Sequence, residues 1–426
     1  MTLIAKTYWG GRPFLFRRPP TDADVESRYL RTQDFRQIRA ALWTPRGRRP
    51  SAVVVAMHPR VDFTHHYAAP RFVGAGYGFC GVTSRAFGDD SAVHEDLLLD
   101  LAATIRWLRE RRGAKRIVLL GNSGGGSLAA FYLAQQPLSK DERSARTPAG
   151  DPTRLPGAIM PPADGLLLVA AHRGQGKVVE RSIDPAMTDE TDPFASNDSL
   201  DMYVPENGFA TAPTWSRYEP DFATRYRDAQ QARVARLDET AHALVEARQT
   251  AAAKVGAASF AELPPEERRR LARASAFEPV MTVYRTMANL DYVDRTLDPS
   301  PRAYGSLLSH RPDLMNWQRL GFARTVTPEA WLSTWSGASS RANVVANAAG
   351  VRVPVLMVHA DRDREIYPIT DVAPMRDAFA GNEDFTFESM DARHYFEPED
   401  PTAKDAPDVE ALMDRLIEWT REHVGG

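Results

Sequence analysis

Apolar and polar positions along this chain fall into blocks whose period switches repeatedly. A continuous apolar run at 51–58 has the length and Val content of a strand buried on both faces, and the predominantly apolar runs at 77–83, 116–120, 165–171 and 351–359 predict further strands. Mixed runs at 7–18 and 34–43 predict early strands, and 384–389 predicts a last one. Between them the period becomes helical. Val93, Leu97, Leu98, Leu101, Ile105 and Leu108 predict a long helix, with Ser91 as its N-cap and Gly113 at its end. Shorter helices are predicted over 68–75 and 370–380. A final helix starts at Pro407, with Val409, Leu412, Met413, Leu416 and Ile417 on one face. Strand–helix alternation of this kind builds a doubly wound, mostly parallel α/β sheet.

The rhythm breaks twice. Six prolines between Pro137 and Pro162 predict a surface excursion. The longer break, 173–345, opens with an acidic segment (Asp184, Asp189, Glu190, Asp192, Asp198, Asp201), read as a solvated loop rather than a cation site. Residues 221–255 contain neither Gly nor Pro, and Val234, Leu237, Ala241, Leu244 and Val245 form an apolar stripe. That stripe predicts a long helix with a solvated face, or a face for a homodimer contact. Pro264-Pro265-Glu266-Glu267 starts another helix, and 329–335 a third. Trp215, Trp317, Trp331 and Trp335 are candidates for the core of this block or for an apolar pocket. The chain therefore divides into core segments 1–172 and 346–426 with an inserted helical block, 173–345, between them.

The stretch that carries chemistry is Leu119-Leu120-Gly121-Asn122-Ser123-Gly124-Gly125-Gly126. It leaves a strand, turns sharply with a hydroxyl at the tip, and enters the helix Ser127-Leu128-Ala129-Ala130-Phe131. Gly121 and Gly125 bracket Ser123 in the G-x-S-x-G pattern, in which small residues let strand and helix pass closely. The pattern in this context resembles the α/β-hydrolase family. The resemblance implies a sheet of about eight strands and a helical cap inserted after the strand that follows the nucleophile helix.

A serine hydroxyl becomes a useful nucleophile only beside a base that is itself oriented by an acid. In this family the order is Ser, acid, His. The resemblance makes Ser123 the nucleophile, His394 the general base and Asp363 the orienting acid, with Asp361 as the alternative. It also implies oxyanion donors at the Gly124 N–H and in the loop after the 51–58 strand. There the family's His-Gly is replaced by His58-Pro59-Arg60. Proline has no N–H, so Arg60 is the simplest donor. His58, His65, His66 and His172 are candidates to line the pocket.

Composition narrows the partners. Hydrophobic content of 43%, charged content of 26% and a net charge of −3 over 426 residues describe a globular chain with no electrostatic draw toward nucleic acid or anionic membranes. The single cysteine, Cys80, excludes an intrachain disulfide. P-loop and dinucleotide-binding glycine patterns are absent, and neither a cofactor nor a metal is implied. No basic segment leads an apolar one at the start of the sequence, so the cytoplasm is the expected location. The expected activity is hydrolysis of a carboxylic ester or related acyl bond in a partly apolar small molecule. Amide or C–C hydrolysis, acyl transfer, and ligand binding without catalysis are the alternatives.

Overall fold

A computed structural model describes residues 19–86, 88–400, 403 and 405–425. The predicted strand at 7–18 lies outside these residues. The first strand described, β1 (Ala23–Arg31), was not anticipated from the sequence. It is a mostly exposed edge strand with only Leu30 buried, so it carries almost no hydrophobic signal. It pairs antiparallel with β2 (Gln37–Pro45).

The remaining core follows the predicted alternation: β3 (Ala52–His58), α1 (Ala69–Gly74), β4 (Gly78–Thr83), α2 (His94–Arg112), β5 (Arg116–Asn122), α3 (Gly125–Gln135) and β6 (Gly165–Val169). The insertion then begins with α4 (Gln175–Ser182), α5 (Pro220–Gly256) and α6 (Pro265–Ala276). A two-stranded ribbon follows, β7 (Met281–Thr282) with β8 (Thr325–Val326), and with it the short helices α7 (Pro312–Met315), α8 (Pro328–Ala330) and α9 (Val344–Asn347). The sheet resumes at β9 (Val355–Ala360), α10 (Ala373–Ala378), β10 (Phe385–Met390) and α11 (Pro407–His423).

Eight strands form one sheet in the order β1-β2-β4-β3-β5-β6-β9-β10. All neighbours from β4 to β10 are parallel, and only β1 and β2 run against their partners. The apolar runs work by alternation. Val53, Val55 and Met57 pack toward α2, α3 and α10, while Ala52, Val54 and Ala56 pack toward α1 and α11. Burying each such Val or Leu contributes about 1.5–3 kcal/mol, so losing either helical layer would cost the sheet its stability. Cys80 lies fully buried in β4.

Helix α2 corrects one expectation. Its N-cap is Val93, not Ser91, and no side chain of its own caps it. The first helical N–H, at His94, donates instead to Ser333 Oγ of the insertion at 2.9 Å. A cap supplied from 239 residues away is invisible to local pattern. Gly113 does close the helix, in the left-handed conformation at φ 73°.

The insertion enters and leaves the core at one place, because Val344 N–H donates to the Arg173 carbonyl at 2.7 Å. Its acidic opening is solvated only in part: Asp189, Asp192 and Asp198 are exposed, and the other three acids are paired. Asp184 and Asp201 both pair with the buried Arg285, and Glu190 pairs with the buried Arg233. The segment near 329–335 is a single turn followed by a wider turn over Trp331–Trp335, not a regular helix. Trp331 and Trp335 are fully buried, Trp317 is half exposed against Phe194, and Trp215 meets Tyr304 edge-on.

Candidate active site

Ser123 sits at the carboxyl end of β5, where parallel sheets place their ligands. Its backbone is left-handed, φ 52°, a conformation that costs a non-glycine residue free energy and turns the hydroxyl out of the sheet. The neighbouring glycines make the turn sterically feasible. A Cβ on Gly121 would lie 2.5 Å from Gly126 Cα, and one on Gly125 would lie 2.6 Å from the Met57 carbonyl oxygen. Neither site has room for any side chain.

Two other loops bring their residues to the same place. After β9, Asp363 Oδ1 accepts the backbone N–H of Glu365 at 2.8 Å, leaving Oδ2 to point outward. After β10, Ala392 and Phe396 are buried and hold the intervening His394. His394 Nδ1 lies 2.7 Å from Asp363 Oδ2, and His394 Nε2 lies 3.1 Å from Ser123 Oγ. All three side chains are buried. An ionised carboxylate can only accept, so the Asp363 bond keeps a proton on Nδ1 and leaves Nε2 to accept from the serine. Asp361 does not take part; its backbone N–H pairs with Met390 across the strand ends.

The fold is that of an α/β-hydrolase. Its strand order, the positive-φ serine on β5 and the insertion after β6 decide this from the chain itself. No family model matches the sequence, and no curated protein matches it. Solved structures of similar overall shape include esterase Pf2001 of Pyrococcus furiosus (12% identity, TM-score 0.43, covering 95% of this chain and 92% of that one). The esterase domain of a Rhodothermus marinus protein is similar at 12% identity and TM-score 0.44, covering 94% of this chain and 100% of that one. The α/β hydrolase GrgF of Penicillium sp. sh18 is similar at 12% identity and TM-score 0.46, covering 95% and 100%.

The surroundings of the elbow are rich in histidine. His58 Nε2 and His172 Nε2 both approach Gly124; a Cβ there would lie 2.8 Å and 3.2 Å from them. Gln175 Nε2 donates to the Gly124 carbonyl at 3.2 Å, and His94 lies close by at the start of α2. Gln175 and His94 were not anticipated, because nothing local marks them. His65 and His66 are elsewhere. His65 is exposed against Trp43, and His66 is buried behind the elbow, stacked on Tyr67 and 3.3 Å from Asn122 Oδ1.

The expected donor at Arg60 is also corrected. Its backbone N–H donates to His58 Nδ1 at 3.1 Å, because the turn through Pro59 folds it back onto that ring. The Arg60 guanidinium pairs with Asp89 at 2.7 Å and lies over the rings of Phe322 and Trp335 from the insertion. The Gly124 N–H, by contrast, donates to no described residue.

Electrostatics separates the imidazoles. Burial lowers the pKa of His172 to about 3 and that of His94 to about 4, and it holds His58 well below the usual histidine range, helped by the Arg60 charge. These rings are neutral at pH 7. His394 runs the other way: burial opposes its charge, but the Asp363 carboxylate outweighs burial and raises it. Glu365, beside this pair, is raised by burial to about 7. No group of three His, Cys, Asp or Glu among the described residues is arranged to hold a metal ion. No helix among them is long and apolar enough to cross a membrane.

Proposed function

We propose that the chain is a serine hydrolase that cleaves a carboxylic ester or related acyl bond through an acyl-enzyme. The observation that carries this reading is the continuous hydrogen-bonded line from Asp363 through His394 to Ser123, at 2.7 and 3.1 Å, ending on a hydroxyl in strained backbone. In this reading His394 Nε2 takes the serine proton as Oγ attacks the carbonyl carbon. Asp363 stabilises the resulting imidazolium. The tetrahedral oxyanion is held by the Gly124 N–H, and the imidazolium then protonates the leaving alcohol. Water repeats the sequence on the acyl-serine and releases the acid.

The block 173–345 serves as a cap over this site. Three contacts support that role. Ser333 Oγ donates to Glu95 at 2.6 Å, Trp335 Nε1 donates to the Asp89 carbonyl at 2.9 Å, and Thr327 N–H donates to the Asp90 carbonyl at 2.8 Å. Together they fix the insertion to the first turn of α2 and to the loop that precedes it. The aromatic rings it brings over Arg60 suit a substrate with an apolar part.

Incubation with a fluorophosphonate, followed by intact mass spectrometry, tests the reading. One phosphonyl group on the wild type and none on Ser123→Ala is the expected result, with acid release from short p-nitrophenyl esters lost in parallel. An unlabelled wild type, or equal labelling of Ser123→Ala, would refute it.

A further inference from the structure

We propose that His58 is a catalytic residue, its Nε2–H supplying the second hydrogen bond to the oxyanion in place of a backbone amide. The inference rests on the serine-hydrolase reading above and concerns how that site stabilises charge.

The proton's location follows from one hydrogen bond. His58 Nδ1 accepts the Arg60 backbone N–H at 3.1 Å. A ring nitrogen that accepts carries no hydrogen, so the neutral ring must carry its proton on Nε2. The ring stays neutral because it is buried and faces the Arg60 cation. Protonation would also turn Nδ1 into a donor aimed at another donor.

The position of Nε2 follows from Gly124. The nitrogen lies 2.8 Å from the point a Cβ on Gly124 would occupy. It therefore stands beside the residue whose free N–H is the elbow's own donor. Any side chain at 124 would displace the imidazole, so the glycine clears space for the ring as well as for the turn. No described residue accepts a hydrogen bond from His58 Nε2.

The nearby alternatives are engaged elsewhere or lack a fixed proton. Pro59 has no N–H. The Arg60 N–H is consumed by His58 itself. The Gln175 amide, whose nitrogen lies 2.3 Å from the same Gly124 point, gives one hydrogen to the Gly124 carbonyl while its Oε1 accepts from Ser127 Oγ, which fixes it to that carbonyl; the Asn122 amide donates to the Val169 carbonyl at 2.9 Å. His172 approaches the same point, but its Nδ1 is buried without a partner, so nothing sets its proton on Nε2. The chain has lost the usual backbone donor at Pro59 and has placed a ring N–H of fixed tautomer next to the gap.

The test compares His58→Ala, His58→Gln and His172→Gln with wild type. Fluorophosphonate labelling of the wild type comes first, because an unlabelled wild type removes the serine-hydrolase reading and this inference with it. In a labelled enzyme, His58→Ala should lower kcat on a p-nitrophenyl ester by roughly 10²–10³-fold with little change in KM, the loss typical of one oxyanion donor. Affinity for an alkyl boronic acid, which forms a tetrahedral adduct on serine, should fall by a similar factor. Affinity for the carboxylate product should not change. His58→Gln, whose amide nitrogen can reach the Nε2 position, should recover at least part of the loss.

A kcat within about fivefold of wild type in His58→Ala would overturn the proposal. So would a fall in kcat without a fall in boronate affinity, or a loss confined to His172→Gln. If His58→Ala fails to fold, ¹⁵N-histidine NMR of the wild type decides. An Nε2–H tautomer whose proton resonance moves downfield on boronate binding supports the role, and an Nδ1–H tautomer or an unmoved resonance refutes it.

Discussion

Asp363 Oδ2 stands 2.7 Å from His394 Nδ1, with both side chains buried, so the imidazole's basicity is set by a carboxylate that water scarcely screens. Burial by itself would depress His394, and the carboxylate reverses the sign. The free base is the active form, so kcat/KM should rise with pH, with its inflection above the ordinary histidine value of about 6.5. Asp363→Asn should lower kcat by about 10⁴-fold and move the residual inflection to lower pH, because burial then dominates. A pH–rate profile of both proteins checks this, and an unmoved inflection would contradict it.

Gly125 packs so closely under β3 that a methyl group there would lie 2.6 Å from the Met57 carbonyl oxygen. The obstacle is backbone and cannot rotate aside. Gly125→Ala should destabilise the protein by about 1–3 kcal/mol and reduce activity by tilting the elbow. Gly157→Ala, with nothing within 4 Å of the added Cβ, should stay within about 0.5 kcal/mol of wild type. Urea titration of the two variants provides the comparison.

Asp238 on α5 gathers three donors: Trp331 Nε1 at 2.7 Å, Ser336 Oγ at 2.8 Å and Ser339 Oγ at 2.6 Å. It ties the long helix to the turn that bears Trp335. Replacement by Ala strands the buried indole N–H, and a loss of about 2–3 kcal/mol is expected. Tryptophan fluorescence during urea unfolding reads this directly. An unchanged midpoint would show that the three bonds contribute nothing net.

His66 links stability to pH. Burial lowers its pKa to about 3, so below about 6.5 the unfolded chain takes up a proton that the folded protein refuses. Its contribution is complete above pH 6.5 and is lost as pH falls toward 3, by about 1.4 kcal/mol per pH unit. The stability difference between wild type and His66→Gln should therefore shift against the wild type over that range. Parallel curves for the two proteins from pH 7 to 4 would refute it.

Much of the fold was legible because the signals are local. A strand buried on both faces must be apolar through its middle, and β3, β5, β6 and β9 are. A serine in a left-handed turn between strand and helix needs glycines at 121 and 125, and both are present. What was illegible depended on partners distant in the chain. β1 gains its order from β2 and not from burial, so its sequence looks like a loop. The opening of α2 is capped by Ser333, so the nearer Ser91 was a false lead. The pairing of Asp184, Glu190 and Asp201 is hidden from local pattern because their arginine partners, Arg233 and Arg285, lie far along the sequence.

At the site the same division holds. The sequence alone determined the elbow, the order in which serine, acid and histidine occur, and the missing amide at Pro59, since each is a property of a few adjacent residues. Only the tertiary structure decided that Asp363 rather than Asp361 meets His394, that the Arg60 N–H turns back onto His58, and that His172 and Gln175 close around Gly124. Those outcomes turn on where loops from separate strands end to within about one hydrogen-bond length, and that is set by the packing of the whole sheet.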